Sequence, residues 1–184
     1  MVLLSLYQIT KEEKYIVLAE HAISVLEESQ IVQEQGIGWI TDPGTPPMSG
    51  MAHGNAGIMM PVLTLWKLTG NKEYEALAER IWEYENSLYH SERNNWDDLR
   101  AGKEIQDHIG AVSWCHGAPG IMLSRIYGYQ LVDDLKWKQR FLEEIQIGYD
   151  KLKEYWKRDH RFQGSSKNWK QSLANSFLSA GTAK

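Results

Sequence analysis

Apolar residues recur along this chain at helical spacing. Tyr15, Leu18, Ala19, Ala22 and Leu26 follow the three- and four-residue steps of one helix face, and Tyr74, Leu77, Ala78 and Ile81 follow the same steps further on. A third amphipathic stretch starts at Asp133 and is expected to continue to about Tyr155. No run alternates apolar and polar residues over strand length, so the pattern predicts an all-α protein.

The helical pattern repeats. Leu4-Ser5-Leu6-Tyr7-Gln8-Ile9-Thr10 lines up with Leu63-Thr64-Leu65-Trp66-Lys67-Leu68-Thr69 at an offset of 59, and Tyr15, Leu18, Ala19 and Glu20 then fall on Tyr74, Leu77, Ala78 and Glu79. Met51-Ala52-His53-Gly54-Asn55-Ala56-Gly57-Ile58-Met59 lines up with Trp114-Cys115-His116-Gly117-Ala118-Pro119-Gly120-Ile121-Met122 at an offset of 63, which places Trp137 opposite Tyr74. One unit of about sixty residues therefore recurs. Each unit reads as a glycine-rich loop, a helix, a tight turn, a second helix and a long loop. Thr10-Lys11-Glu12-Glu13 has capping-box spacing, and Thr69-Gly70-Asn71 is a turn in the next unit. Stacked hairpins of this kind cover one another's apolar faces. The first unit has no glycine loop and the last fades into Gln163-Gly164-Ser165-Ser166, so the chain is expected to be part of a larger array.

Composition narrows the class further. Of the 184 residues, 42% are hydrophobic and 24% charged, as in ordinary globular domains. The net charge of −4 argues against binding nucleic acid. The brief apolar start, followed at once by Lys11-Glu12-Glu13-Lys14, is neither a signal peptide nor a membrane span, which makes the cytoplasm the expected location. A single cysteine, Cys115, rules out an internal disulfide.

Candidate chemistry sits in the two long loops, both of which end in His-Gly immediately before a helix. Equivalent loops in a stack of hairpins open at one end, so His53, Cys115 and His116 are expected to converge. Taken singly, each has a plainer role: a buried inert thiol, a histidine bonded to a loop carbonyl, or one that orients its own loop. Trp66, Trp82 and Trp137 fall at core-facing positions. Arg93, Arg100 and Lys103 are loop cations within reach of a peptide.

Ser113-Trp114-Cys115-His116-Gly117-Ala118-Pro119-Gly120-Ile121 resembles the Trp-Cys-His-Gly-Ala-Pro-Gly-Ile motif of lanthionine synthetase cyclases, most closely that of the class II, LanM-type enzymes. Gly50-Met51-Ala52-His53-Gly54-Asn55-Ala56-Gly57-Ile58 resembles the family's Gly-x-x-His-Gly-x-x-Gly-Ile. The resemblance runs from residue 1 to about 162, so residues 1–162 are expected to form a partial cyclase domain and 163–184 a divergent tail. It implies an α/α toroid of six to seven hairpins, of which this chain holds about three. It also implies an activity: adding a precursor-peptide cysteine thiol to dehydroalanine or dehydrobutyrine to close a lanthionine or methyllanthionine ring, with zinc activating the thiol. Carried over by position, Cys115 matches a zinc ligand and His53 the acid/base histidine. His116 stands beside the metal in a proton-transfer or enolate-contact role.

The match fails in one place. The family's other zinc ligands come from a later Cys-His-Gly, and Ala174-Asn175 stands there. One thiolate is too few for a catalytic zinc, so the isolated chain is expected to lack cyclase activity and to depend on the remainder of a parent synthetase. The alternatives are a peptide-binding or scaffold remnant of the same fold, or another α/α toroid such as a carbohydrate enzyme. The latter would have to use Asp97 and Asp98, and adjacent loop carboxylates are a poor pair for that chemistry.

Overall fold

The computed structural model describes residues 1–100 and 111–158. Among them the chain forms six helices: α1 (Val2–Thr10), α2 (Glu13–Glu28), α3 (Asn55–Thr69), α4 (Lys72–Ser87), α5 (Ala118–Leu131) and α6 (Leu135–Arg158). They make three hairpins, α1–α2, α3–α4 and α5–α6, in the order the repeat predicts. The fold is all-α, in keeping with a partial toroid of stacked hairpins. By Cα packing the chain divides into Met1–Lys151 and Leu152–Lys184. Of the second unit only the last turns of α6 are described, and the expected boundary at 162/163 lies outside the described residues.

Among the described residues, strand pairing amounts to two clips of two residues per strand and one isolated bridge between Met48 and Gly54. β1 (Ile31–Val32) pairs antiparallel with β2 (Ile37–Gly38), and β3 (Tyr89–His90) with β4 (Asn95–Trp96). Each clip follows an outer helix and starts a long loop. Their shortness explains why no alternating pattern is visible in the sequence.

The turns follow local chemistry. Gly70 ends α3 in the left-handed conformation, and the Asn71 side chain accepts from the Glu73 amide at 2.9 Å to cap α4. The first hairpin differs from the expected capping box. Glu12, not Thr10, is the N-cap of α2 and makes no side-chain cap bond. Thr10 instead closes α1, donating to the Leu6 carbonyl and accepting from the Glu12 amide. Lys11 takes the left-handed turn that Gly70 takes in the second hairpin.

The main core joins all three hairpins: Leu4, Ile16, Ala19 and Ile23 from the first, Met59, Leu63, Leu77 and Ile81 from the second, and Trp137 and Phe141 from the third. Trp137 is buried as expected, and Trp66 and Trp82 pack against the same core from its edge. Two positions depart from the periodic expectation. Ala22 is exposed, and Leu18 is 50% exposed although its repeat partner Leu77 is buried. On its other side α4 meets a further outer helix, α6, whose Arg140 pairs with Glu79 at 2.6 Å and stacks over Trp82.

Beneath the loops lies a buried ionic cluster. Arg125, at the centre of α5, bonds Glu85 of α4 at 2.6 Å and also pairs with Glu144 of α6. Arg125 and Glu85 have no exposed side-chain surface. Burial pushes the Glu85 carboxyl above its ordinary pKa, while Arg125 and the Gly50 amide pull it back. The two carboxylates raise the Arg125 guanidinium against its own burial, so it stays charged.

Candidate functional site

Two loops meet over this cluster. The first runs from β2 to the start of α3, and one carboxylate fixes its last stretch on both sides of His53. Glu85 Oε1 accepts from the Gly50 amide at 2.9 Å and from the Ala56 amide at 3.0 Å, so it brackets His53. Asn55 completes the clamp by donating to the carbonyls of Ile37 and Ile81. The second loop, running into α5, has a neutral counterpart. Asn95 Oδ1 accepts from the Ala118 amide at 2.8 Å, and its amide nitrogen donates to the Ala111 carbonyl.

The loops touch through backbone. The Ala52 amide donates to the Cys115 carbonyl at 3.3 Å. Gly50, at φ +102°, lies so close that a Cβ there would come within 2.8 Å of that same carbonyl oxygen. Gly117, at φ +85°, leaves room for the Ala111 carbonyl, which any side chain would strike. The glycines of the two motifs are thus required where backbone packs on backbone.

That approach brings the two histidines together. The rings of His53 and His116 stack with centroids 5.7 Å apart and planes 14° from parallel. His116 is buried, while His53 is exposed and its carbonyl accepts from Thr41 Oγ1 at 2.6 Å. Both line a cavity of about 310 Å³ together with Thr41, Asp42, Met48 and Arg100, a size at the low end for small-molecule or side-chain sites. Cys115 precedes His116 and is partly exposed, with its Sγ 3.4 Å from Ser113 Oγ. Ser113 also bonds both the amide and the carbonyl of His116, closing a tight loop around the thiol.

Arg100 was legible in the sequence only as a loop cation. Here its Nε and Nη2 bond both oxygens of buried Asp98 at 2.8 and 2.6 Å, which aims the guanidinium along the cavity wall. Its pKa is raised first by that bonding and then by the charges of Asp98 and Cys115. Asp97, by contrast, faces His90 at 2.8 Å and Arg93 at 3.7 Å. The two neighbouring carboxylates therefore serve different cations and do not act as a glycosidase pair. Arg93 lies outside the cavity, and Lys103 lies outside the described residues.

Among the described residues, no group of three His, Cys, Asp or Glu side chains is placed to hold a metal. The segment Asn168–Ser176, where the family's later ligands belong, lies outside the described residues. No described helix is long and apolar enough to cross a membrane.

Comparison with known proteins agrees with this arrangement. The sequence model of the family described as lanthionine synthetase C-like protein matches residues 1–163. The chain is similar to the lacticin 481/lactococcin biosynthesis protein LcnDR2 of Lactococcus lactis subsp. lactis, with 33% identity over 79 residues. That alignment covers 43% of this chain and 8% of the relative's length. No solved structure matches significantly. The hairpin repeat, the two His-Gly loops and the match over residues 1–163 show that this chain belongs to the lanthionine synthetase C-like family.

Proposed function

We propose that the chain is part of a LanM-type lanthipeptide cyclase that acts in the cytoplasm on a dehydrated precursor peptide. The observation that carries this reading is the stacking of His53 on His116 at one cavity, with Cys115 next to His116 in the chain. In the reaction, a peptide thiolate forms a bond from sulfur to the β-carbon of a dehydroamino acid. The π electrons move onto the amide as an enolate, and a proton is then delivered to the α-carbon. His53, exposed at the cavity mouth, is the proton carrier for that last step. His116, stacked against it, contacts the enolate side. The guanidinium of Arg100 supplies fixed positive charge where the enolate oxygen would lie.

In the family, zinc serves the thiol, and Cys115 is the ligand this chain would contribute. The described residues do not make a zinc site by themselves. A catalytic zinc takes about three protein ligands, and among the described residues no group of three His, Cys, Asp or Glu side chains gathers at the chain's one cysteine. On this reading residues 1–162 are part of the cyclase domain of a larger synthetase, and the isolated chain is expected to show no cyclase activity.

A second reading, a peptide-binding or scaffold remnant that keeps the fold without the metal, draws on the same missing ligands. Elemental analysis of the purified chain, with Cys115→Ala as control, tests the donor set. Substoichiometric zinc, unchanged by the mutation, is expected. One zinc per chain, lost in the mutant, would show that the site is complete. A single-turnover assay on dehydrated precursor peptide should give no thioether with the isolated chain. Weak peptide binding that survives His53→Ala would favour the remnant.

A further inference from the structure

Each strand clip packs against the outer helix of the next hairpin, and the two contacts use different side chains. The first clip ends on Gly38, paired with Ile31, and the second on Trp96, paired with Tyr89. Tyr84 of α4 covers the first. A Cβ on Gly38 would come within 3.0 Å of the Tyr84 ring, and the Tyr84 hydroxyl donates to the Pro47 carbonyl. The offset of 63 that sets Trp137 opposite Tyr74 also sets Ile147 opposite Tyr84. Ile147 of α6 packs on the second clip, against the cluster that holds Trp96 and Tyr89. It brings neither a ring nor a hydroxyl.

At this second contact there is a cleft of about 350 Å³, walled by Trp82 and Asn86 of α4, Glu143 and Ile147 of α6, and Tyr89 and Trp96 of the clip. Both helices belong to adjacent hairpins of this chain. The cleft shares no lining residue with the cavity at His53 and His116, and its size suits a small ring-bearing group. Its notable feature is a hydrogen-bond donor. Trp96 is 1% exposed, and its Nε1–H has no acceptor. Trp82, on the same cleft, donates to Glu144 Oε1 at 2.5 Å, and Trp39 donates to the Leu26 carbonyl at 2.7 Å. A buried indole N–H ordinarily finds such a partner, because leaving it without one is costly. The other charged groups on the walls are already engaged: Arg140 with Glu79, and Glu144 with Arg125 and Trp82.

We propose that this cleft binds a phenol ring, with the phenol oxygen accepting from Trp96 Nε1–H. At the first clip Tyr84 supplies such a ring from within the fold. At the second, Ile147 leaves its place to a ligand. The rings of Tyr89 and Trp96, with centroids 4.9 Å apart, and the indole of Trp82 give the phenol aromatic contacts. Asn86 and Glu143, both exposed on the walls, are acceptors for the phenol's own proton. The same chemistry comes from a free small phenol or from the tyrosine side chain of a peptide.

The indole N–H signals in a proton–nitrogen correlation spectrum of the full chain test this, with the Trp96 signal identified as the one lost in Trp96→Phe. Millimolar p-cresol, which is the tyrosine side chain as a free molecule, should move that signal saturably. Toluene, the same ring without the oxygen, should bind at least about tenfold more weakly, because it leaves the N–H without an acceptor. Ile147→Tyr restores the residue that covers the first clip. It should weaken p-cresol binding at least about tenfold, and circular dichroism checks that the variant keeps its helices. N-acetyl-tyrosinamide separates the two sources. Binding as tight as that of p-cresol assigns the cleft to a peptide-borne tyrosine, and binding of p-cresol alone assigns it to a free phenol. A Trp96 signal that p-cresol leaves in place overturns the proposal. So does toluene binding as tightly as p-cresol, or undiminished binding in a folded Ile147→Tyr variant.

Discussion

The two His-Gly loops have nearly the same sequence pattern and are held in different ways. The first is clamped by a buried carboxylate, Glu85, which bonds amides on both sides of His53 and is itself held by Arg125. Among the described residues, a neutral side chain, Asn95, ties the end of the second loop through the first helical amide of α5. A charged clamp in a dry interior is stiff because its failure is costly: removing one partner strands a buried charge. A neutral amide tie costs less to break. Among the described residues, the loop carrying His53 is thus held to the helical core by a charged clamp, and the end of the loop carrying Cys115 and His116 by a neutral one.

This contrast can be broken most directly at Arg125. Arg125→Met leaves Glu85 and Glu144 buried without a cation and should cost about 3–5 kcal/mol, read as a lower urea midpoint. Glu85→Gln keeps an acceptor for the Gly50 and Ala56 amides but weakens the ionic cluster. Its cost should be smaller, about 1–3 kcal/mol, with faster hydrogen exchange at those two amides. Asn95→Ala should cost a similar or lesser amount, about 1–2 kcal/mol, and should leave the Gly50 and Ala56 amides protected. If both substitutions loosened both loops equally, the two loops would be one mechanical unit and the comparison would fail.

Weaker effects sharpen it. Tyr84, whose hydroxyl donates to the Pro47 carbonyl at 2.6 Å, adds a second tie to the first loop. Burial pushes its pKa up to about 12. Its neutral form is favoured in the folded state, so this contribution persists below pH 10 and fades as pH rises toward 12. Tyr84→Phe should cost about 1 kcal/mol and flatten that alkaline decline in thermal melts.

The smallest effect is expected at Glu79. Bonding to Arg140 holds its carboxyl below the usual 4.5. Its contribution is therefore present above about pH 4.5 and lost as pH falls through the lower folded value. Partly exposed pairs of this kind contribute about 1 kcal/mol or less. Glu79→Gln should remove a small acid-side slope from stability measured between pH 5 and 3.

The three hairpins were legible in the sequence because helical periodicity and a sixty-residue repeat are local properties that need no knowledge of neighbours. The pairing of His53 with His116 was legible for a related reason: two copies of one loop, each ending before a helix, must open on the same side of the stack. The ionic cluster left weaker traces. Arg125 sits inside the apolar run Ile121-Met122-Leu123-Ser124-Arg125-Ile126, and a lone arginine there is a cue for a buried partner. Nothing local marks Glu85 as that partner, since it is one of several glutamates on α4. Asp98 was equally hidden, because only the folded loop shows that it, and not Asp97, takes Arg100.

The sequence by itself determined the helices, their repeat and the residue types at the two loops, because propensity, glycine placement and apolar spacing act over a few residues. Only the tertiary structure decided which face of each helix is covered. Leu18 and Leu77 have the same local pattern, yet Leu77 is buried and Leu18 is not. Burial depends on whether another hairpin stands alongside, and that is set by the stack rather than by the helix.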